Sequence, residues 1–362
     1  MLHIRRRYFA FLALALSCVF IACNSSHSPV SSDKSLIGAG STFIYPVMAH
    51  WISVHQSSHP GVQINYQSIG SGGGIQQLQK GLVDFGASDA ALDDQKLQTM
   101  PPLVQIPAIA GPVCITYNLP DLKDPLKLGA NTLAGIYLGE IKTWRDPAIK
   151  KDNPNASFPN TAIVVAHRSD GSGTTNIFTT YLAKVSPVWQ TKVGKGIAVS
   201  WPVGVGGKGS EGVTGVVKQT LGAIGYVELT YASQNKLPVA LIQNRAGAWI
   251  EPTAAAATAA IEAFRDDLAK DVRAPVVDPP SSAKDAYPIS GLTYLLIPRQ
   301  GKTEARQQTL KEFVQYILTD GQSAAESLQY AKLPQSLADL GQKRLAETQG
   351  TQQTSSSQGA GT

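Results

Sequence analysis

Residues 162–178 read AIVVAHRSDGSGTTNIF, an apolar run that passes through a glycine-rich turn into helical spacing. The run 162–166 predicts a buried strand, and the spacing over 175–185 predicts a helix. The same order recurs where 62–66 alternates as a strand ahead of a short predicted helix at 74–82. Further helices are predicted at 262–270 and 303–318. Strands that alternate with helices are typical of an α/β fold, which is the predicted class, with mostly parallel sheets.

Three glycine-rich loops carry hydroxyl groups and run into predicted helices: GAGSTF at 38–43, GSGGG at 70–74 and RSDGSGT at 168–174. A helix N-terminus offers unpaired N–H groups and partial positive charge, while glycine permits close approach to the backbone. Helix capping and tight turns alone also favour these residues. Three such loops together with Arg168 favour an oxyanion-binding site.

Other chemistries find less support in the sequence. The segment 204–209, GVGGKG, matches a dinucleotide-binding pattern, but a lone match is weak, and it is not a phosphate loop because Gly209 stands where Ser or Thr should follow Lys208. Neither Ser71 nor Ser172 lies in a G-x-S-x-G motif. We therefore predict a protein that is not an enzyme and has no cofactor.

The N-terminus has the pattern of an export signal. Arg5, Arg6 and Arg7 precede an apolar run over 9–22 that ends at Cys23. The segment resembles a bacterial lipobox, which predicts a signal peptide at 1–22, lipidation of Cys23 and a flexible tether over 23–34. An ordinary signal peptide with a chance cysteine and an uncleaved anchor are the alternatives.

The length of 362 residues suffices for two domains. The three leader arginines account for most of the formal net charge of +5, leaving +2, which is too weak a bias to predict nucleic-acid binding. Cys114 stands alone in an apolar run, so neither a disulfide nor a metal site is predicted. The polar segment 347–362 predicts a disordered tail.

Several blocks in order resemble the substrate-binding protein of the bacterial high-affinity phosphate ABC transporter. They are GAGSTF (38–43), NYQSIGSGGG (65–74), VDFGASDA (83–90), HRSDGSGT (167–174), WPVGVGGKG (201–209) and LGAIGYVE (221–228). The resemblance covers roughly 36–340 and implies a two-lobed periplasmic-binding-protein fold of type II with phosphate in the cleft. It implies lobe 1 at 35–115 plus 289–346 and lobe 2 at 116–288.

The resemblance also implies which residues bind phosphate: Thr42, Phe43 through its N–H, Ser71, Asp89, Arg168, Ser172, Gly173 through its N–H, and Thr174. Asp170 is expected to pair with Arg168 and to hold its guanidinium toward the ligand. On its own, Asp89 would be read as a helix cap or a surface carboxylate. The chain has Ser41 where relatives often have Ala, and Gly72 where many have Ser; we expect neither departure to touch a binding contact.

The function implied is capture of inorganic phosphate outside the inner membrane and delivery to an ABC permease. The protein is expected to be a periplasmic monomer that contacts the membrane only through the lipid on Cys23. The alternatives are a binding protein for sulfate or molybdate, against which Asp89 argues, a phosphatase-like enzyme that uses the same anion cradle, and an adhesin or signalling protein that has kept the fold.

Overall fold

The computed structural model describes residues 34–348. Its strands are β1 (Ser35–Gly40), β2 (Gln63–Ser68), β3 (Phe85–Ser88), β4 (Leu103–Tyr117), β5 (Lys127–Leu128), β6 (Val164–Arg168), β7 (Val205–Gly207), β8 (Ala223–Glu228), β9 (Leu241–Gln243), β10 (Trp249–Ile250) and β11 (Ser290–Pro298). Its helices are α1 (Tyr45–Ser58), α2 (Ser71–Gln79), α3 (Asp94–Leu97), α4 (Ala130–Tyr137), α5 (Pro147–Asp152), α6 (Gly173–Val185), α7 (Pro187–Lys192), α8 (Gly209–Gln219), α9 (Leu229–Gln234), α10 (Ala254–Ala263), α11 (Arg265–Lys270), α12 (Glu304–Leu318) and α13 (Gln335–Ala346).

Most strands of the described region form one long sheet in the order β2-β1-β3-β11-β4-β8-β6-β7, while β10, β9 and β5 form a small second sheet. Pairing is parallel toward both ends of the long sheet, where β1 lies beside β2 and β3, and β6 lies beside β7 and β8. It is antiparallel in the middle, between β11 and its two neighbours and between β4 and β8. The sheet is therefore mixed rather than mostly parallel.

The fully buried strand β4 joins the two ends of this sheet. Its residues from Leu103 to Pro112 pair with β11, and those from Val113 to Tyr117 pair with β8. Cys114 lies at this junction and is buried, and within residues 34–348 it has no disulfide partner. The first half of the long sheet thus connects to the second through one continuous strand.

The predicted helix at 303–318 is confirmed by α12, which buries Leu310, Phe313, Val314 and Ile317 on one face. The predicted helix at 262–270 is wrong as a single element, since Phe264, with φ −111° and ψ 16°, separates α10 from α11. Among residues 34–348, no helix is long and apolar enough to cross a membrane.

The helix after the second glycine-rich loop begins at Ser71, three residues earlier than predicted. Glycine disfavours helix interiors, which is why the sequence suggested a later start. Packing reverses that preference here, because a Cβ on Gly74 would come 2.4 Å from Cα of Gly40 at the end of β1. The glycine lets α2 lie directly against the strand.

Several predicted segments lie outside the described residues: the leader at 1–22, Cys23, the tether up to residue 33 and the tail from residue 349. Two residues assigned to the tail are described. Glu347 accepts a hydrogen bond from Arg299 at 2.8 Å, and the side chain of Thr348 is buried. The packed body thus continues two residues past the predicted boundary.

Candidate functional site

The three glycine-rich loops meet between the two halves of the long sheet, where the carboxyl ends of β1 and β3 face the carboxyl end of β6. The first follows β1, the second lies between β2 and α2, and the third lies between β6 and α6. Asp89 directly follows β3 and lies between the same two halves. Carboxyl ends of parallel strands are the usual ligand-binding edge of α/β sheets, and here they bring the N-termini of α2 and α6 together.

Asp89 is the charged centre of this cluster and is only 5% exposed. Its Oδ1 accepts hydrogen bonds from the hydroxyls of Ser41 at 2.5 Å and Thr293 at 2.7 Å. Burial raises the pKa of Asp89 to about 6, while those two hydrogen bonds and the nearby charge of Arg168 oppose the rise. Reading Asp89 as a surface carboxylate would be wrong, and at neutral pH it is an ionised, acceptor-only group.

Arg168 and Asp170 form a bidentate ion pair. Nε of Arg168 donates to Oδ1 at 2.8 Å, and its second terminal nitrogen donates to Oδ2 at 2.6 Å. The N–H of Gly209 also donates to Oδ1, at 3.0 Å. Burial works against ionisation of Asp170, but these hydrogen bonds hold its pKa below the usual range. The carboxylate therefore fixes the plane of the buried guanidinium.

Thr42 connects the first loop to Arg168 and to the start of helix α8 at Ser210. Its Oγ1 accepts from a terminal nitrogen of Arg168 at 3.2 Å and from the N–H of Ser210 at 3.3 Å. Because these bonds use both acceptor positions, the Thr42 hydroxyl donates in its 2.8 Å contact with Oγ of Ser210. The Tyr231 hydroxyl donates to the carbonyl of Thr42 at 2.9 Å.

Ser71 accepts two backbone hydrogen bonds through Oγ, from Asp89 at 3.3 Å and from Gly173 at 3.1 Å. Its acceptor positions are therefore filled, and its proton remains to be donated. The backbone is close here, since a Cβ on Gly173 would come 2.6 Å from Cβ and N of Asp89 and from Oγ of Ser71. Only glycine permits this approach.

Two hydroxyl-bearing residues of the third loop, Ser172 and Thr174, lie at the start of helix α6. Oγ of Ser172 accepts from the N–H of Thr175 at 3.0 Å and so caps the helix. Thr174 is buried, and its hydroxyl makes no hydrogen bond of standard geometry within residues 34–348, although it lies near enough to Asp89 to help lower the pKa of that carboxyl. Both hydroxyls retain a proton that can be donated.

The structure brings all the sequence-predicted site residues into this cluster: Thr42, Phe43, Ser71, Asp89, Arg168, Asp170, Ser172, Gly173 and Thr174. In the described arrangement the two backbone donors face neighbouring hydroxyls, Phe43 N–H to Ser41 Oγ at 3.0 Å and Gly173 N–H to Ser71 Oγ. Among residues 34–348, no three His, Cys, Asp or Glu side chains are placed to hold a metal ion.

The expectation that Ser41 and Gly72 leave the binding contacts untouched is wrong. Ser41 donates to Asp89 and accepts from Phe43. Gly72 donates its N–H to the carbonyl of Gly171 at 2.8 Å, and a Cβ on Gly72 would come 3.0 Å from Cα of Gly171. Both positions shape the site, because each lies where two of its loops touch.

Sequence reasoning also missed Ser210, Gly209 and Thr293. The segment 204–210 has the same signal as the other loops, since its glycines and a hydroxyl run into the start of helix α8, but the resemblance implies no binding residue in it. Thr293 had no such signal, because it lies inside the apolar strand β11 and reaches Asp89 only through strand pairing.

Comparison with known proteins shows the class of protein to which the chain belongs. The chain matches the family model of the PBP superfamily domain over residues 25–321, so it is a periplasmic-binding-protein-like chain. It is 42% identical over 318 residues to the phosphate-binding protein PstS of Xylella fastidiosa, with 86% of each chain covered. It is 40% identical over 307 residues to PstS of Haemophilus influenzae, covering 84% of this chain and 91% of that one. The chain belongs to the PstS family of phosphate-binding proteins.

A solved structure shows the same fold at lower sequence identity. It is the high-affinity periplasmic phosphate-binding protein PfluDING bound with phosphate, with a TM-score of 0.67, 20% identity, and coverage of 88% of this chain and 99% of that one. The predicted two-lobed α/β fold of type II is confirmed by these likenesses.

The raised pKa of Asp89 should make the free energy of unfolding depend on pH. Burial raises the pKa of Asp89 to about 6 in the folded protein, from its ordinary value of 3.8, so the folded protein holds this proton more tightly than the unfolded chain does. The group therefore contributes full stability below about pH 4 and loses it as pH rises to about 6, a loss of up to roughly 3 kcal/mol. Asp89→Asn, which imitates the protonated form, should be more stable than wild type near pH 8 and equal to it near pH 4.

Denaturant unfolding of both proteins at the two pH values, without added anions, measures the difference. Asp124→Asn makes the same change at an exposed position and serves as the matched control. A variant no more stable than wild type near pH 8 would contradict a raised pKa at Asp89.

Proposed function

We propose that this protein captures inorganic phosphate and delivers it to an ABC permease, without catalysing a reaction. The observation that carries the proposal is the ionised carboxylate of Asp89, buried within a cluster of hydrogen-bond donors that includes Arg168. Membership of the PstS family and the fold shared with a phosphate-bound protein support the same ligand.

The donors around Asp89 suit a tetrahedral oxyanion. Arg168 supplies a fixed positive charge, and the N-termini of α2 and α6 add partial positive charge. The hydroxyls of Ser71, Ser172 and Thr174 each retain a proton to donate. Such hydroxyls donate hydrogen bonds to an anion but carry no charge, so they need no carboxylate to neutralise them.

The carboxylate explains why the ligand is phosphate. Near neutral pH, phosphate keeps at least one proton, which can be donated to Asp89, whereas sulfate keeps none. Facing sulfate, the ionised Asp89 would place two acceptor-only groups in contact inside a buried site. This costs on the order of 3 kcal/mol, about a hundredfold in affinity. A negative residue in an anion site thus acts as a filter for protonated oxyanions.

Asp89→Asn should lose this discrimination. The amide can donate to sulfate and still accept from phosphate, so we expect the ratio of sulfate to phosphate dissociation constants to fall at least tenfold. Calorimetric titration near pH 8, at one ionic strength, measures both constants, with Asp124→Asn as control. If the folded Asp89→Asn protein excludes sulfate as strongly as wild type, the filter lies elsewhere.

We further propose that phosphate draws the predicted lobes together, with lobe 1 at 35–115 plus 289–346 and lobe 2 at 116–288. Support comes from hydrogen bonds that cross between these segments: Thr42 to Arg168, Thr42 to Ser210 and Gly72 to Gly171. Such contacts are available only when the two segments approach each other. Hinge closure of this kind couples ligand binding to a change of shape.

Gly173→Ala should block this closure. The added methyl would come 2.6 Å from atoms of Asp89 and Ser71, so the segments must separate to admit it. Overpacking of this kind costs about 1–3 kcal/mol, and we expect phosphate affinity to fall about tenfold or more. Titration calorimetry measures the affinity, and solution scattering measures the decrease in radius on adding phosphate.

Gly215→Ala is the matched control, since a Cβ there has no neighbour within 4 Å and Gly215 lies beyond Gly209 and Ser210, the residues of α8 that touch the site. It should bind phosphate like wild type. Equal affinity and equal compaction in Gly173→Ala and Gly215→Ala would argue against closure at this contact.

The third part of the proposal concerns the cellular location of the protein. We propose that the chain is exported, cleaved after residue 22, lipidated on Cys23 and active as a periplasmic monomer held to the membrane by that lipid alone. The charged and apolar leader that ends at Cys23 supports export and lipidation. A relative of the same fold is described as periplasmic, which supports the compartment.

Cys23→Ser should abolish incorporation of a fatty-acid analogue and release the protein from the membrane fraction, because serine lacks the acylated thiol. Cys114→Ala serves as control, since that buried cysteine lies in β4 and should not affect labelling. Labelling that persists in Cys23→Ser would contradict the lipobox interpretation.

A further inference from the structure

The hydroxyl of Ser41 links two groups of the binding site. It donates to Oδ1 of Asp89 at 2.5 Å and accepts from the N–H of Phe43 at 3.0 Å. The side chain is fully buried, so no water competes for either bond. An O–H···O contact of 2.5 Å is at the short end of charge-assisted hydrogen bonds, which favour an ionised acceptor.

We propose that Ser41 is a positioning residue that keeps Asp89 ionised and oriented, and so sets the pH below which the site begins to admit sulfate. This inference rests on the proposed function and adds to it the residue that tunes the filter. Ser41 acts through Asp89 and need not touch the ligand.

The geometry shows how the orientation is fixed. Ser41 comes from the loop after β1 and Thr293 from β11, and both hydroxyls donate to the same oxygen, Oδ1. Held from two sides, Oδ1 cannot exchange places with Oδ2 without breaking both bonds. Oδ2 accepts neither of these two hydroxyls and can therefore receive the P–O–H group beside the nearby hydroxyl of Thr174.

The arrangement is also independent of closure. Ser41, Asp89 and Thr293 all fall within the segments of predicted lobe 1, so their hydrogen bonds do not need lobe 2. The carboxylate is thus prepared before a ligand arrives, and the energy of ligand binding is not spent on orienting it.

The other charged or titratable groups that face Asp89 do not change charge between about pH 5 and 8. Arg168 remains a cation throughout. Burial raises the pKa of Tyr66 and of Tyr330 well above their usual range, so both phenols stay neutral. Thr174 and Thr293 contribute only hydroxyls. Burial also raises the pKa of Glu228 to about 8, but that carboxyl faces Thr230 and Tyr330. A change of sulfate affinity centred near pH 6 therefore reports the protonation of Asp89.

The test is the pH dependence of sulfate affinity, because sulfate itself does not titrate in this range. In wild type we expect affinity to rise as pH falls through about 6, where Asp89 takes up its proton and becomes a donor. Removing one donor from the ionised form in Ser41→Ala should move the midpoint upward by about one pH unit. Calorimetry at constant ionic strength measures it.

Ser41→Thr keeps the hydroxyl and should keep the wild-type midpoint. Ser68→Ala is the matched control, since it removes a buried hydroxyl from β2 that has no hydrogen bond to Asp89. Phosphate binding near pH 8 by each variant verifies that it is folded. A midpoint in Ser41→Ala equal to that of Ser68→Ala would overturn the inference.

A second measurement separates this inference from the proposed function. The carboxyl carbon of Asp89, assigned by its loss in Asp89→Asn, is followed by NMR against pH in ligand-free protein. An upward shift of about one unit in Ser41→Ala supports the role of Ser41 whatever anion the site binds, and no shift overturns it. Failure of wild type to bind phosphate would overturn the proposed function instead.

Discussion

The hydrogen bonds that hold the buried carboxylate of Asp89 are the interactions on which the rest of the site depends. An ionised carboxylate is costly to bury unless donors surround it, and here hydroxyls from β11 and from the loop after β1 supply them. Arg168 adds the compensating charge and is itself held flat by Asp170. The result is a cluster of hydrogen-bond donors that contains one fixed acceptor, which is the complement of an oxyanion that carries a proton.

Close backbone approach is what allows these groups to meet. Gly74 lets α2 lie against the end of β1, while Gly173 brings the start of α6 to Asp89 and Ser71. Gly72 and Gly171 let the second and third loops touch. Side chains at these positions would hold the helix N-termini apart and leave their N–H groups to water. The glycines are therefore required by the distances between elements and do not indicate loose loops.

The local parts of this design could be predicted from the sequence, because strand periodicity and glycine-hydroxyl loops ahead of helices are local signals. The site residues themselves came from resemblance, since an isolated Asp89 suggests only a cap or a surface group. The partners of Asp89 were missed: Ser41 is 48 positions away and Thr293 is 204 positions away, and only strand order brings them together. The early start of α2 was missed because tertiary packing overrides the helix propensity of glycine.

The central claim is that an ionised Asp89 makes the site select oxyanions that carry a proton. Its most direct test is titration of the wild-type protein with phosphate, arsenate and sulfate near pH 8, in one buffer. Arsenate keeps a proton at this pH as phosphate does, so both should bind, and sulfate should bind about a hundredfold or more weakly than phosphate. Sulfate affinity within tenfold of phosphate, or binding of sulfate in preference to arsenate, would contradict the claim.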